Sequence, residues 1–275
     1  MHYLDPISQP ELPPLPLSVT PEPIDDGKNA VVDLLDVLLV LVVACLAYFF
    51  GGGGAAAVFL IAHRAQGVTP QNLSKALEHN AFFLVSTQLV IYVFLVGFMS
   101  YLVWIRHRTS LGHAIRWNIP GRRQAAYALA LGFGLALFSD LAEAVLQRWI
   151  PKSLPIEELF RDRSSALLLA AFGILIAPLV EEVLFRGFLY PALARWTGVA
   201  PSVLVTAAAF ALLHGTQLAY SWAPLLLIFI VGVALTITRA ATKSVATCVL
   251  VHMAYNFTLL LQAYIGTHGF RQMQG

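Results

Sequence analysis

After its first thirty residues the chain is a succession of apolar runs separated by short polar stretches. A helix needs roughly 20 apolar residues to cross a bilayer, and the pattern predicts spans over 36–62, 81–105, 124–146, 164–193, 199–220, 223–237 and 244–265. The sixth is short. The expected fold is all-α, a polytopic transmembrane helical bundle of about seven spans, because lipid obliges each span to satisfy its own backbone polar groups. Gly51-Gly52-Gly53-Gly54 lies in the first span. Such a run weakens a soluble helix, but in a membrane it lets a neighbouring helix approach closely.

Residues 1–30 are of another kind. Pro10, Pro13, Pro14, Pro16, Pro21 and Pro23 punctuate a slightly acidic stretch that cannot bury enough apolar surface to fold alone. It is expected to be a disordered, proline-rich tail. No basic segment precedes a short apolar core, so it does not read as a secretory signal.

Composition supports the membrane reading. Hydrophobic residues make up 58% and charged residues 12%, about half the roughly 25% charge of a soluble domain. A disordered chain and a nucleic-acid binder with a basic face are excluded, and the composition argues strongly against an ordinary soluble enzyme. Cys45 and Cys248 both sit in apolar runs without metal-ligand spacing, which makes them packing residues. Arg106, Arg108, Arg116, Arg122 and Arg123 lie between the second and third spans with no acidic residue among them. The positive-inside rule makes that side cytoplasmic. Alternation then places the N-terminus on the same side, with Arg195, Arg239 and Lys243. Trp104, Trp149, Trp196 and Trp222 fall near span ends, as an interfacial belt requires.

Charge within a span costs about 2.5–3.5 kcal/mol on insertion scales, so the polar residues found there are informative. The fourth span carries Glu181, Glu182 and Arg186, with Pro178 just ahead. Glu182 and Arg186 are four apart, share a face and are expected to pair. Glu181 points about 100° away and lacks that compensation, which makes it a candidate general base. Of the eight histidines only His214 and His252 lie inside apolar runs. Asn256 follows His252 by one helical turn and projects from the same face. A polar knot locking helices together is the structural alternative. An antiparallel hairpin of the fourth and fifth spans would bring Glu181 and His214 to similar depth. Asp140 and Glu143, late in the third span, read as an interfacial cluster.

Glu-Glu-x-x-x-Arg at 181–186 followed by Gly187, Phe-x-x-x-His at 210–214 and His-x-x-x-Asn at 252–256 resemble, in order and spacing, the CPBP family. These are the CAAX proteases and bacteriocin-processing enzymes, also called Abi, which are intramembrane endopeptidases. The resemblance covers about residues 164–260. It divides the chain into the tail (1–30), N-terminal transmembrane helices (31–160), a catalytic transmembrane core (161–265) and a C-terminal tail (266–275). It implies that Glu181 and His214 activate the hydrolytic water, that His252 and Asn256 donate to the oxyanion, and that Glu182 and Arg186 support them. The residues themselves leave open which histidine stands on the base side. Glu181, His214 and His252 could also supply a zinc site, but His-Glu-x-x-His is absent, and the expectation is a glutamate mechanism without metal.

The expected partners are the bilayer and a peptide or protein substrate, lipidated or not, and no nucleic acid. The expected location is a bacterial inner membrane. Two other readings use the same residues. A non-catalytic immunity, scaffold or partner-binding protein of this fold would keep the cluster for structure. A proton-coupled transporter would use it as a relay, although no internal repeat of the transporter kind is visible.

Overall fold

A computed structural model of the chain describes residues 29–78, 80–160 and 162–271. The predicted tail falls outside the described residues except at its last two positions. In chain order the bundle consists of α1 (Leu34–Gln66), α2 (Ala81–His107), α3 (Arg122–Trp149), α4 (Arg163–Thr197), α5 (Val199–Leu213), α6 (Trp222–Thr242) and α7 (Val245–Gly266). All but α5 are long and apolar enough to cross a membrane, and no strand occurs among the described residues. The predicted fifth span is cut short because the chain turns through residues 214–220.

The outward faces are apolar. Phe49, Ile61, Phe82 and Leu141 are 75%, 76%, 74% and 69% exposed. Surface of this kind on helix after helix is stable only against lipid, and the chain is an integral, multi-pass membrane protein. Local signals start the helices. The Asp33 carboxylate accepts from the Asp36 N–H and Asp36 returns the bond, forming a capping box at α1. Asn80, Asp162 and Ser244 cap α2, α4 and α7 by the side-chain half of that arrangement alone, each accepting from a backbone N–H three residues on.

One apolar cluster ties the two halves of the chain together. Val37 and Val40 of α1 and Met99 and Val103 of α2 meet Ile115 of the α2–α3 connection, Val183 and Phe188 of α4, and Val249 of α7. Close helix approach depends on glycines other than the predicted four. A Cβ at Gly52, Gly53 or Gly54 would meet nothing within 4 Å. At Gly132 it would lie 2.4 Å from the Val251 carbonyl oxygen, where α3 crosses α7, and at Gly232 it would lie 3.2 Å from Ala207 on α5.

Three further expectations change. Arg239 is not a loop cation but is buried in α6, 1% exposed. Arg106 belongs to α2 rather than to the loop, and its Nε lies 2.7 Å from the buried Asp36 carboxylate, which His107 Nε2 also approaches at 2.7 Å. Cys248 is buried as a packing residue, whereas Cys45 is exposed on the lipid face. Asp140 and Glu143 are exposed on α3, and it is Ser139 beside them that meets Tyr255 of α7, at 3.2 Å.

Candidate active site

The helix α4 is interrupted twice, and both interruptions follow from its sequence. It leaves α-helical form at Ile176 and resumes at Ala177, with Pro178 in the first turn of the new segment. Proline has no N–H to give and is accommodated where none is needed. Glu181 and Glu182 close this short segment. The next seven residues, Val183–Leu189, widen into a π turn, a form that recurs at functional sites. In that register the Phe185 carbonyl accepts from the Tyr190 N–H. The corresponding partner of the Arg186 carbonyl is Pro191, which has no N–H. Arg239 of α6 takes its place, donating from Nε at 3.1 Å. This explains a buried arginine that charge counting had assigned to a loop. Gly187 is required by the same crowding, since a Cβ there would lie 3.0 Å from Ile115 Cγ2.

The cluster around Arg186 is fully buried. Its NH1 donates to Glu182 Oε1 at 2.8 Å, NH2 to the Gly232 carbonyl at 3.0 Å and Nε to Thr236 Oγ1 at 3.3 Å. The guanidinium also lies 4.5 Å above the Phe210 ring. Glu182 and Arg186 pair as their spacing predicts, and Glu182 has a second task. Its Oε1 also accepts from His252 Nδ1 at 2.8 Å. A carboxylate can only accept, so the Nδ1 of His252 carries the proton and Nε2 is the nitrogen left to act. That Nε2 lies 3.9 Å from Glu181 Oε2.

His214 is held in a parallel way. It caps the C-terminus of α5, and its Nδ1 donates to the Phe210 carbonyl at 2.9 Å, so its Nε2 is likewise the unclaimed nitrogen. Phe210 stands between the two histidines, with ring centroids 5.0 Å from His214 and 5.7 Å from His252. Asn256 projects from the face of α7 that bears His252, but its amide donates to the Gly173 carbonyl at 2.7 Å. Gly173 lies in the last turn before the break at Ile176, where helix carbonyls lose their own donors. Glu181, Glu182, Arg186 and His252 thus form one polar cluster, with His214 adjoining it across Phe210 and Asn256 tied to the break in α4.

Among the described residues no group of three His, Cys, Asp or Glu side chains is gathered so as to hold a metal ion. Glu181 and His252 approach each other, and His214, with Nδ1 bonded to its own helix, keeps Nε2 free, as a metal-ligating histidine also would.

Residues 163–258 match the family model described as type II CAAX prenyl endopeptidase Rce1-like. This region of the chain resembles the CAAX proteases. The Rce1-like region is well under half of the chain, begins where α4 begins and ends within α7, and contains Glu181, Glu182, Arg186, His214, His252 and Asn256. No curated protein and no solved structure matches the chain.

Several functional neighbours escaped the sequence. Gly232 and Thr236 hold Arg186, Arg239 holds the π turn, and Tyr92 of α2 donates to Glu181 Oε1 at 3.5 Å. For Tyr92 a signal was present: Gln88 and Tyr92 are a polar pair four apart in a mainly apolar span.

Proposed function

We propose that the protein is an intramembrane endopeptidase that hydrolyses a peptide bond in a membrane-associated peptide or protein, in CAAX-type or bacteriocin-type processing. The observation that carries this reading is the approach of His252 Nε2 to Glu181 Oε2 at 3.9 Å inside a buried polar cluster. A water about 2.8 Å from each would bridge that separation. Glu181 takes a proton from this water as its oxygen adds to the scissile carbonyl carbon. The proton is then passed to the leaving amine as the carbon–nitrogen bond breaks. Glu182 fixes the tautomer of His252, and Arg186 neutralises Glu182 within the membrane. His214, with its Nε2 unclaimed, and Asn256 are the remaining groups to serve the carbonyl oxygen or the leaving group. For Asn256 this requires exchanging its bond to Gly173. The resemblance assigns the base-side role to His214, whereas the contact geometry favours His252. No step runs through a metal. We propose a bacterial inner-membrane location, with the N-terminus in the cytoplasm on the strength of the arginines clustered where α2 ends and α3 begins.

The test is cleavage of quenched fluorescent peptides, with and without a prenylated cysteine near the C-terminus, by the protein in proteoliposomes. Glu181→Gln, His252→Ala and His214→Ala are compared with the unaltered chain, each with and without chelator. Cleavage lost in Glu181→Gln and unchanged by chelator is expected. Cleavage persisting in Glu181→Gln would sink the assignment, and loss with chelator alone would require a metal mechanism.

A further inference from the structure

We propose that Tyr92 is a positioning residue for Glu181, an inference that rests on reading Glu181 as the general base. Tyr92 belongs to α2, outside the Rce1-like region, and is 9% exposed. Its ring stacks on Phe172 of α4, with centroids 5.9 Å apart and planes 19° from parallel. The stacking directs the hydroxyl at Glu181, to whose Oε1 it donates at 3.5 Å. That is long for an O–H···O bond, as catalytic hydrogen bonds commonly are before substrate is bound.

The other carboxylate oxygen, Oε2, faces His252. The two oxygens of Glu181 therefore have different neighbours. Tyr92 holds Oε1, which fixes the plane of the carboxylate and leaves Oε2 for the water and His252. Packing alone does not call for a phenol here. Phenylalanine would stack on Phe172 equally well, and a hydroxyl taken into an apolar span costs free energy unless it is bonded. Gln88, one turn earlier on the same face of α2, donates to the hydroxyl of Tyr48 on α1. The polar row Tyr48, Gln88 and Tyr92 is how helices outside the matched region reach the site.

Tyr92→Phe removes the hydroxyl and keeps the ring. In the peptide assay kcat falls about tenfold to a hundredfold, the range for one hydrogen bond to a charged group, while KM stays within about twofold. An unchanged kcat, or a loss confined to KM, overturns the proposal. Glu181→Gln run in parallel separates the two readings: if it cleaves, the site assignment itself fails, and if it is inactive while Tyr92→Phe is fully active, only the role of Tyr92 fails. A second measurement needs no substrate. Thermal unfolding midpoints are taken for the unaltered protein, Tyr92→Phe, Glu181→Leu and the double variant. A Tyr92–Glu181 contact makes the two shifts non-additive, with Tyr92→Phe shifting the midpoint less when Glu181 is absent. Additive shifts overturn the proposal.

Discussion

Arg186→Met is the perturbation whose consequences the structure specifies most fully. The substitution removes three hydrogen bonds, to Glu182, Thr236 and the Gly232 carbonyl, and the contact with the Phe210 face. The larger effect falls on Glu182, which stays fully buried with His252 Nδ1 as its remaining donor. Breaking one side of a buried ion pair costs about 3–5 kcal/mol, a large share of a typical stability of about 5–15 kcal/mol. Arg186→Lys keeps the charge but reaches one acceptor in place of three. Two lost hydrogen bonds at about 1 kcal/mol each, with about 0.5–2 kcal/mol for the lost ring contact, predict a loss of about 2.5–4 kcal/mol. The double variant Glu182→Gln with Arg186→Met removes both charges and their desolvation cost together, so its stability returns to within about 1–2 kcal/mol of the unaltered protein. Cleavage does not return with it, because the carboxylate that holds His252 is gone. Denaturant unfolding in detergent micelles measures the first quantity and the peptide assay the second. The reasoning is refuted if Arg186→Met unfolds at the unaltered midpoint, or if the double variant is less stable than Arg186→Met alone.

Three other outcomes can be checked by unfolding. Gly132→Ala forces α3 away from Val251 and Ala254 and should cost about 1–3 kcal/mol, whereas Gly53→Ala meets nothing within 4 Å and should leave the midpoint unchanged or higher. Asp36→Asn weakens the ion pairs with Arg106 and His107 and should cost about 1–3 kcal/mol; a neutral result would show that these ends of α1 and α2 are held by packing alone. The side chain and backbone N–H of Ser165 hold the Asp162 carboxyl below its usual value. A depressed folded value stabilises at neutral pH and is lost as pH falls through it. Asp162→Ala should therefore cost about 1 kcal/mol at pH 7, with the difference fading below about pH 4; a difference that persists in acid would refute the capping account.

The sequence by itself determined the membrane class, five of the six long spans and the Glu182–Arg186 pair, while it made the helix at 199–213 too long and the one at 222–242 too short. Each of these depends on local spacing: 20-residue apolar runs, and a four-residue interval that one helix brings into register. The EE-x-x-x-R, F-x-x-x-H and H-x-x-x-N motifs were legible for the same reason, since each lies within one segment. Tertiary structure decided what crosses between segments. His252 stands between Glu181 and Glu182 because α7 passes α4 at that level, and no interval along the chain encodes a crossing. Arg239 looked like a loop cation because charge counting cannot see that Pro191 leaves a carbonyl in need of a donor. The four adjacent glycines suggested close approach, yet Gly132 and Gly232 provide it, because the value of a missing side chain depends on what the neighbouring helix places opposite. Tyr92 reached the site for a similar reason: only the packing of α2 on α4 sets its hydroxyl against Glu181.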